Sequence, residues 1–508
     1  MNFKPKATFL LTLTTVTLLS LLSILPVSEP LVKQSIFSQL YSDSVLCTSA
    51  GYQAIVDEIP IDNLVPITTQ LDEKNEPVSI DTNIQKTTNS TDTENNKSTT
   101  TKNVDRETPK IESENIDTAA KSPNSTNNHP KTPATQKPAS LTAIEDFSTS
   151  GDALGRFYAS LRNVGTMSRP VRIAVLGDSF IEGDIFTQDL REQLQNHFGG
   201  RGVGFVPITS TVASFRQSVK HSFNGWATHS IVNKMSRSGF IISSFTYTPS
   251  DNVSSVTYRG SKYKAHLNYF TRARFVFRSL TNAKIKVSIN GGAEQNFTPE
   301  VSGDLRQVVV MEDSIREVTF TVQSDNNFTA YGAYLDSPRG VSVDNYSVRG
   351  NSGVSLSQVD EMLTRQLGEM LPIDLVIFEY GLNVAQADVK SYSLYMSQMK
   401  RAIEHLQKCL PQAAILVMSI PDRTRRSSNG WITMPGVEAM ARTQRQLAQS
   451  TGVVFWSTLD AMRSRGGMST FVERGWAAKD YTHLSSRGGR EIGRALFEAL
   501  MYDMQSRY

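Results

Sequence analysis

The segment 171–176 constrains the fold of this chain more than any other feature. It is short, almost entirely apolar and partly β-branched, and it runs directly into Gly177-Asp178-Ser179. Such a run is typical of a strand buried on both faces, which occurs in parallel sheets covered by helices. The sequence therefore predicts a serine at the end of a buried strand.

Strand-like and helix-like segments alternate after this strand and again in the last third of the chain. Segment 185–198 has helical apolar periodicity and ends at Gly199-Gly200. Further predicted strands are 374–380, 414–420 and 453–456, and further predicted helices are 392–406, 436–449 and 487–504. This alternation predicts an α/β fold, with a parallel sheet between two layers of helices.

The stretch from 210 to 340 interrupts this alternation. Its apolar residues alternate with polar ones at 240–247, 273–278, 283–289 and 317–322, and turns such as Asn290-Gly-Gly292 separate the segments. Period-two alternation predicts antiparallel strands with one face towards water. Strand–helix units lie on both sides, so we expect an inserted, sandwich-like β-rich domain at 210–340. The α/β domain then consists of residues 143–209 and 341–508.

The first 142 residues differ in composition from the rest. Lys4 and Lys6 precede an apolar run at 7–27, as in an export signal. No clear cleavage site follows, so residues 1–30 fit either a cleaved signal peptide or a retained inner-membrane anchor. Both predict a protein that acts outside the cytoplasm, in the periplasm or cell envelope. Residues 31–142 are predicted to be a mostly disordered, low-complexity linker, because no aromatic residue occurs between 53 and 146.

Composition excludes several functional classes. The net charge is only +3, which gives no reason to expect nucleic acid as a partner. Cys47 and Cys409 are the two cysteines, and one lies in the N-terminal region while the other ends a predicted helix. We therefore expect no disulfide. The seven histidines form no metal-binding spacing, and we expect neither a metal nor another cofactor.

Four short pieces carry residues suited to catalysis. They are Gly177-Asp178-Ser179, Asn351-Ser-Gly353 after a predicted strand at 342–348, Tyr380-Gly-Leu-Asn383, and Asp480-Tyr-Thr-His483 before the last helix. Each follows a predicted strand or precedes a helix. In an open α/β sheet, ligands bind at the edge formed by the carboxyl ends of the strands.

These residue types meet the needs of acyl transfer to serine. The reaction requires a general base, a group that orients the base, and donors for the developing oxyanion. His483 is the predicted base for Ser179, and Asp480, three residues earlier, is its orienting group. The backbone N–H groups of Ser179 and Gly353 and the carboxamide of Asn383 are the predicted oxyanion donors, with Gly350 as an alternative to Gly353.

This set resembles the SGNH family, the GDSL-type esterases and lipases, in which Ser, Gly, Asn and His stand in four blocks. Ser179, Gly353, Asn383 and His483 match those blocks in order, and Asp480 matches the Asp of the fourth block. Phe180 stands where the family usually has Leu. The resemblance implies a flavodoxin-like three-layer fold and a Ser-His-Asp hydrolase that needs no cofactor.

A narrower resemblance is to the peptidoglycan O-acetylesterases of Gram-negative bacteria. It rests on segment 177–184, on Gly202-Val-Gly-Phe-Val-Pro207 and on Tyr380-Gly-Leu-Asn383. Those enzymes also carry a β-rich, carbohydrate-module-like insertion between the first two blocks. The resemblance implies an acetylated glycan, such as peptidoglycan, as substrate. Two alternatives stay open: an O-acetyltransferase that works with a membrane acyl-donor partner, and a non-catalytic envelope glycan-binding protein.

The roles of some residues near these four pieces can be interpreted in two ways. We expect Asp178 to form structural hydrogen bonds, with general acid catalysis as the alternative. The basic segment 423–426 fits either a solvated loop or a contact to an anionic glycan. Trp226, Trp431 and Trp476 fit either packing or stacking on sugar rings.

Overall fold

The computed structural model describes residues 140–233, 239–325, 327–428 and 430–507. The predicted export segment, most of the linker and Cys47 lie outside these residues, and Cys409 is a buried free cysteine. Among the helices of the described part, none combines the length and the apolar character needed to cross a bilayer.

The elements of the first α/β segment are β1 (Glu145–Asp146), α1 (Gly155–Arg162), β2 (Val171–Gly177) and α2 (Thr187–Phe198). The β-rich segment contains β3 (Gly204–Val206), β4 (Val219–Asn224), β5 (Trp226–Ser230), β6 (Phe245–Pro249), β7 (Ser254–Gly260), β8 (Phe270–Ser279), β9 (Lys284–Ile289), β10 (Gln295–Phe297), β11 (Ser302–Ile315), β12 (Glu317–Gln323) and β13 (Phe328–Asp336). The chain continues with β14 (Val341–Ser347), α3 (Glu361–Met370), β15 (Leu375–Glu379), α4 (Ser393–Cys409), β16 (Ala414–Met418), β17 (Thr424–Ser427), β18 (Gly430–Thr433), α5 (Pro435–Thr451), β19 (Val454–Trp456), α6 (Thr458–Arg463), α7 (Gly467–Glu473) and α8 (Ser486–Arg507).

The central sheet has the strand order β1-β19-β16-β15-β2-β14. All neighbours pair in parallel except β1, which pairs antiparallel with β19 at the edge. The five parallel strands therefore follow the flavodoxin-like order 2-1-3-4-5. Gly177 lies beside both Ser347 and Glu379, so β2, β14 and β15 end at one level. Their following loops meet at the same edge.

Side chains of β2 explain why the sheet is covered on both faces. Ala174 and Leu176 pack with helices α3, α4 and α5, whereas Ile173 and Val175 pack on the other side with α1, α2 and α8. Every residue of β2 is buried. Burial on both faces is what the continuous apolar run predicted, and the α/β/α fold class is confirmed.

The β-rich segment forms two antiparallel sheets. One has the order β10-β9-β12-β7-β4 and the other β11-β8-β13-β6-β5, with β3 added on β13. Apolar side chains from both sheets form one core, in which Phe275 of β8 stacks on Phe320 of β12 with 5.0 Å between ring centroids. The sequence-based strand at 240–247 is partly wrong. Ser244 has a positive φ of 62° and closes a turn, while Ile241 and Ile242 pack into the core of the α/β domain.

The predicted start of the insertion at 210 also differs from where the β-rich structure begins. β3 at Gly204–Val206 pairs with β13, so one strand of the antiparallel sheet comes from the end of the first α/β segment. A buried arginine joins the two parts: Arg172 of β2 forms ion pairs with Asp336 of β13 and Asp344 of β14. The sandwich is thereby fixed to the sheet that carries Ser179.

Candidate active site

Ser179 stands two residues beyond β2, where the chain turns away from the sheet. Gly177, the last residue of β2, is needed there because a Cβ would lie 2.9 Å from the carbonyl oxygen of Glu379. Asp178 is fully buried and Ser179 is half-buried. Asp178 Oδ1 accepts the N–H of Phe180 at 2.9 Å, which shapes the turn around the serine.

Asp480 and His483 lie in one turn ahead of α8. His483 Nδ1 is 2.6 Å from Asp480 Oδ2, and Asp480 Oδ1 accepts the N–H groups of Thr482 and His483 at 3.0 and 3.1 Å. Burial alone would raise the pKa of Asp480, but the hydrogen bonds from the His483 ring and backbone bring this pKa below its ordinary value. An ionised carboxylate only accepts, so Nδ1 carries the proton and Nε2 is left as the basic nitrogen.

Ser179 and His483 line the same narrow cleft, although some 300 residues separate them in the sequence. The other residues that line it are Phe180, Ile185, Leu382, Thr482 and Leu484. The Ser179 hydroxyl and the His483 ring belong to loops on the same edge of the sheet. Serine–histidine hydrogen bonds are often long in unliganded sites and shorten when substrate binds. The structure thus brings the predicted nucleophile and base to one cleft.

Asn383 lies in the loop after β15 and is held on the side of the nucleophile. Its Nδ2 donates to Asp178 Oδ2 at 2.9 Å and to the carbonyl oxygen of Asn351 at 3.3 Å. These two bonds join the loops that follow β2, β14 and β15. The structural role expected for Asp178 is observed, because its carboxyl group accepts both from Asn383 and from the backbone of the serine turn.

Gly353 lies in the loop after β14 with a left-handed φ of 86°. A Cβ at this position would lie 2.6 Å from Met399 and 2.8 Å from the ring of Tyr380, so only glycine fits. The N–H of Gly353 donates to Asn351 Oδ1 at 2.9 Å. In this arrangement the predicted donor is engaged within its own loop. The choice of Gly353 or Gly350 as oxyanion donor therefore stays a prediction.

The sequence analysis missed a second buried carboxyl group behind the nucleophile. Glu379 is the last residue of β15 and is fully buried, and no side chain of the described residues forms a hydrogen bond with its carboxyl oxygens. Burial raises the pKa of Glu379 far above its ordinary value, and the negative charge of Asp178 adds to this rise, while the backbone N–H of Asp178 opposes it. Burial also raises the pKa of Asp178, against the opposing effects of the Phe180 N–H and His483. At most one of the two carries a charge at neutral pH.

Ion pairs fix the loop that follows Ser179. Glu182 pairs with Arg349, which connects this loop to the one after β14. Buried Asp184 accepts from Arg191 at 2.9 Å and from Arg216 at 3.0 Å. Burial alone would raise the pKa of Asp184, but the two guanidinium groups hold it well below its usual range. The nucleophile turn is thereby attached both to α2 and to the start of the β-rich segment.

The three tryptophans singled out from the sequence have different surroundings. Trp226 donates its Nε1–H to the carbonyl of Ser255 at 3.0 Å and packs towards the sandwich core. Trp476 meets the ring of Phe471 edge-on at 5.2 Å. Trp431 is 44% exposed and stacks on Tyr481, within the Asp480–His483 turn, at 3.6 Å between ring centroids. Only Trp431 combines an open face with a contact to the candidate site.

Comparison with known proteins gives a family match over part of the chain and a similar fold. Residues 313–490 match the GDSL-like Lipase/Acylhydrolase family, a range that contains Gly353, Asn383, Asp480 and His483 but not Ser179. A solved peptidoglycan O-acetylesterase is similar over 72% of this chain and 99% of its own, with 21% identity and a TM-score of 0.59. A family two carbohydrate esterase from Cellvibrio japonicus covers 57% of this chain and 99% of its own, with 11% identity and a TM-score of 0.25. No curated protein matches.

Proposed function

We propose that this chain, which carries an SGNH-type hydrolase domain, is a serine esterase that removes O-acetyl groups from peptidoglycan in the cell envelope. One observation carries the proposal. The hydrogen-bonded Asp480–His483 pair and Ser179 line a single cleft at the carboxyl edge of the parallel sheet. A nucleophile, a base and an orienting carboxylate at one cleft are what acyl transfer requires.

In the proposed acylation step, Ser179 Oγ attacks the carbonyl carbon of the acetyl ester. His483 Nε2 accepts the hydroxyl proton, and Asp480 stabilises the imidazolium that forms. Collapse of the tetrahedral intermediate breaks the bond to the sugar oxygen, which takes the proton from His483. The deacetylated sugar leaves, and the acetyl group remains on Ser179.

The oxyanion needs donors in this step. The Ser179 N–H forms no hydrogen bond within the described residues, so it is open to the substrate. Asn383 Nδ2 has its longer bond, 3.3 Å, to the carbonyl of Asn351. We propose that the oxyanion replaces this longer bond while the bond to Asp178 keeps the carboxamide in place. Gly353 becomes the third donor once its N–H is released from Asn351.

In the second half-reaction, water attacks the acetyl-enzyme with His483 again as base. The oxyanion donors serve the second tetrahedral intermediate in the same way, and acetate leaves with regeneration of the Ser179 hydroxyl. No step uses a metal or an organic cofactor.

The choice of glycan and compartment rests on two further supports. A solved peptidoglycan O-acetylesterase is similar to this chain over nearly its whole length. The N-terminal Lys4, Lys6 and the apolar run at 7–27 fit an export signal or membrane anchor, and peptidoglycan lies outside the cytoplasm. The substrate and the location are therefore consistent with each other.

The test is acetate release by the full-length protein from O-acetylated peptidoglycan. Wild type should release acetate, and Ser179→Ala should lower kcat on the order of 10⁶, since the triad acts as a unit. Ser150→Ala, which changes an exposed serine, is the matched control and should behave as wild type. Acetate release by Ser179→Ala at the wild-type rate would overturn the assignment of the nucleophile.

A second assay separates hydrolysis from transfer. Wild type is incubated with a small acetyl ester, with and without an unacetylated peptidoglycan acceptor. Hydrolysis predicts free acetate in equal amounts in both reactions. Acetyl groups appearing on the acceptor, with less free acetate, would show a transferase instead.

A further inference from the structure

A two-stranded hairpin stands beside the candidate site and plays no part in the reaction described above. Strands β17 and β18, here called the hairpin arm, follow β16 at the carboxyl edge of the sheet. At the base of the arm, the N–H of Thr424 lies 3.4 Å from the carbonyl oxygen of Tyr481. Arg425 forms two hydrogen bonds, of 2.8 and 2.6 Å, to Asp388 in the segment between β15 and α4. The arm thus contacts both the loop of the base and the loop of Asn383.

Trp431 on this arm presents a large aromatic surface next to the catalytic turn. Its ring lies nearly parallel to that of Tyr481, with 16° between the planes, and 44% of the residue is exposed. One face of the indole is therefore covered and the other faces solvent. Tyr481 has a φ of 56°, a conformation that bulky residues rarely adopt. Such strain clusters at functional sites.

A positive charge lies beside the indole. Arg426 is directly opposite Trp431 in the antiparallel pairing of the arm, so the two side chains project from the same face. Arg426 is exposed, and within the described residues no carboxylate lies near enough to form an ion pair with it. Arg425, its neighbour on the opposite face, is by contrast neutralised by Asp388.

We propose that Trp431 and Arg426 form a binding subsite for the glycan next to the acetylated sugar. The open face of the indole takes the apolar face of a pyranose ring, and Arg426 takes a carboxylate carried by a substituent of the glycan. Peptidoglycan supplies both groups, because its sugar rings bear lactyl-linked peptides with carboxylates. This inference rests on the proposed function and adds to it a residue pair that selects an anionic, polymeric substrate.

The alternative role for Trp431 is to brace the catalytic turn by covering Tyr481. The two roles predict different kinetics. A brace acts on the geometry of Asp480 and His483, so its loss should slow the hydrolysis of every ester alike. A subsite acts only on substrates long enough to reach the arm, so its loss should reduce activity on peptidoglycan far more than activity on a small acetyl ester.

Binding is measured by cosedimentation of full-length protein with insoluble O-acetylated peptidoglycan. All variants are made in a Ser179→Ala background so that the ligand is not consumed. Adding Trp431→Ala should weaken binding about tenfold, and adding Arg426→Gln about three- to tenfold, as expected for one aromatic or charged contact. Arg442→Gln, which changes an exposed arginine of α5, is the matched control and should leave binding unchanged. Acetylated xylan, which lacks the carboxylate-bearing peptide, should bind more weakly and should not respond to Arg426→Gln.

Kinetics in the active background complete the test. The ratio of kcat/KM on peptidoglycan to that on p-nitrophenyl acetate should fall about tenfold in Trp431→Ala, mainly through KM. An equal fall on both substrates would show a brace and overturn the subsite, as would unchanged binding in both variants. Failure of the proposed function gives a different result from failure of the subsite. Wild type would then hydrolyse the small ester but release no acetate from peptidoglycan. The binding assay would still report on the subsite.

Discussion

Two carboxyl sites adjoin the candidate nucleophile, and they differ in almost every physical respect. Asp480 lies in an exposed turn, accepts three hydrogen bonds, and has a pKa below its ordinary value. Asp178 and Glu379 are fully buried behind Ser179, and burial raises the pKa of both. On one side of the serine the carboxyl group is therefore held ionised, and on the other side burial favours the protonated form, most strongly at Glu379.

This difference places the negative charge next to His483, where the reaction needs it. The negative charge of Asp480 stabilises the imidazolium that His483 becomes during acylation. A second full negative charge behind Ser179 would repel the oxyanion that forms there. A proton kept on Glu379 limits the charge behind Ser179 to that of Asp178, whose carboxyl group accepts a hydrogen bond from Asn383.

The largest effect should follow from removing the charge of the exposed site. In Asp480→Asn the side chain can donate as well as accept, so the tautomer that presents Nε2 to Ser179 is no longer enforced. We expect kcat on a small acetyl ester to fall on the order of 10⁴. Asp460→Asn, at an exposed position in α6, is the control. A loss below tenfold in Asp480→Asn would show that the exposed carboxylate does not orient the base.

An intermediate effect should follow from changing the buried site at Asp178. In Asp178→Asn an N–H group can face Asn383 Nδ2, which removes the 2.9 Å hydrogen bond and releases the carboxamide. We expect kcat to fall on the order of 10–10², as for a small misplacement of a catalytic group. Asn383→Ala should cost more, on the order of 10²–10³.

A double-mutant cycle then shows whether Asp178 acts through Asn383. If it does, Asp178→Asn should have little further effect once Asn383 is alanine, because the two changes remove the same interaction. Additive losses would mean that Asp178 contributes independently, for example through the turn that it forms with the Phe180 N–H. Thermal unfolding of each variant checks that the losses do not come from instability.

The sequence predicted the exposed site far better than the buried one, for physical reasons. Asp480 and His483 are three residues apart, so their contact is local and can be read from one segment. Glu379 lies within an apolar run, and the pattern reports that the strand is buried without reporting what surrounds its one carboxyl group. The stack of Trp431 on Tyr481 depends on the position of the hairpin arm. Contacts of this kind are fixed by tertiary packing, which periodicity does not encode.

The same reason explains the fold predictions that succeeded and the strand prediction that did not. β2, β15 and β16 were found nearly to the residue, because burial on both faces gives an uninterrupted apolar run. The segment 240–247 was partly wrong because Ile241 and Ile242 are buried in the cluster shared with the α/β domain and not in the core of the sandwich. An apolar pattern records that residues are buried, but not which neighbour buries them.

The smallest effect on activity, and the sharpest test of the comparison, should come from Glu379→Gln. If Glu379 is already neutral, an amide of the same shape should keep kcat within about twofold, a difference of less than 0.5 kcal/mol in the barrier.

Stability should respond differently. Because the folded-state pKa of Glu379 lies above its unfolded value, the folded protein binds this proton more tightly, and stability falls as pH rises from the unfolded pKa towards the folded one. Glu379→Gln removes this loss, so its Tm relative to wild type should increase from pH 5 to pH 9. Glu473→Gln, at an exposed position, should show no such trend. A Tm difference independent of pH would mean that Glu379 is ionised in the folded protein, and the two carboxyl sites would then carry the same charge.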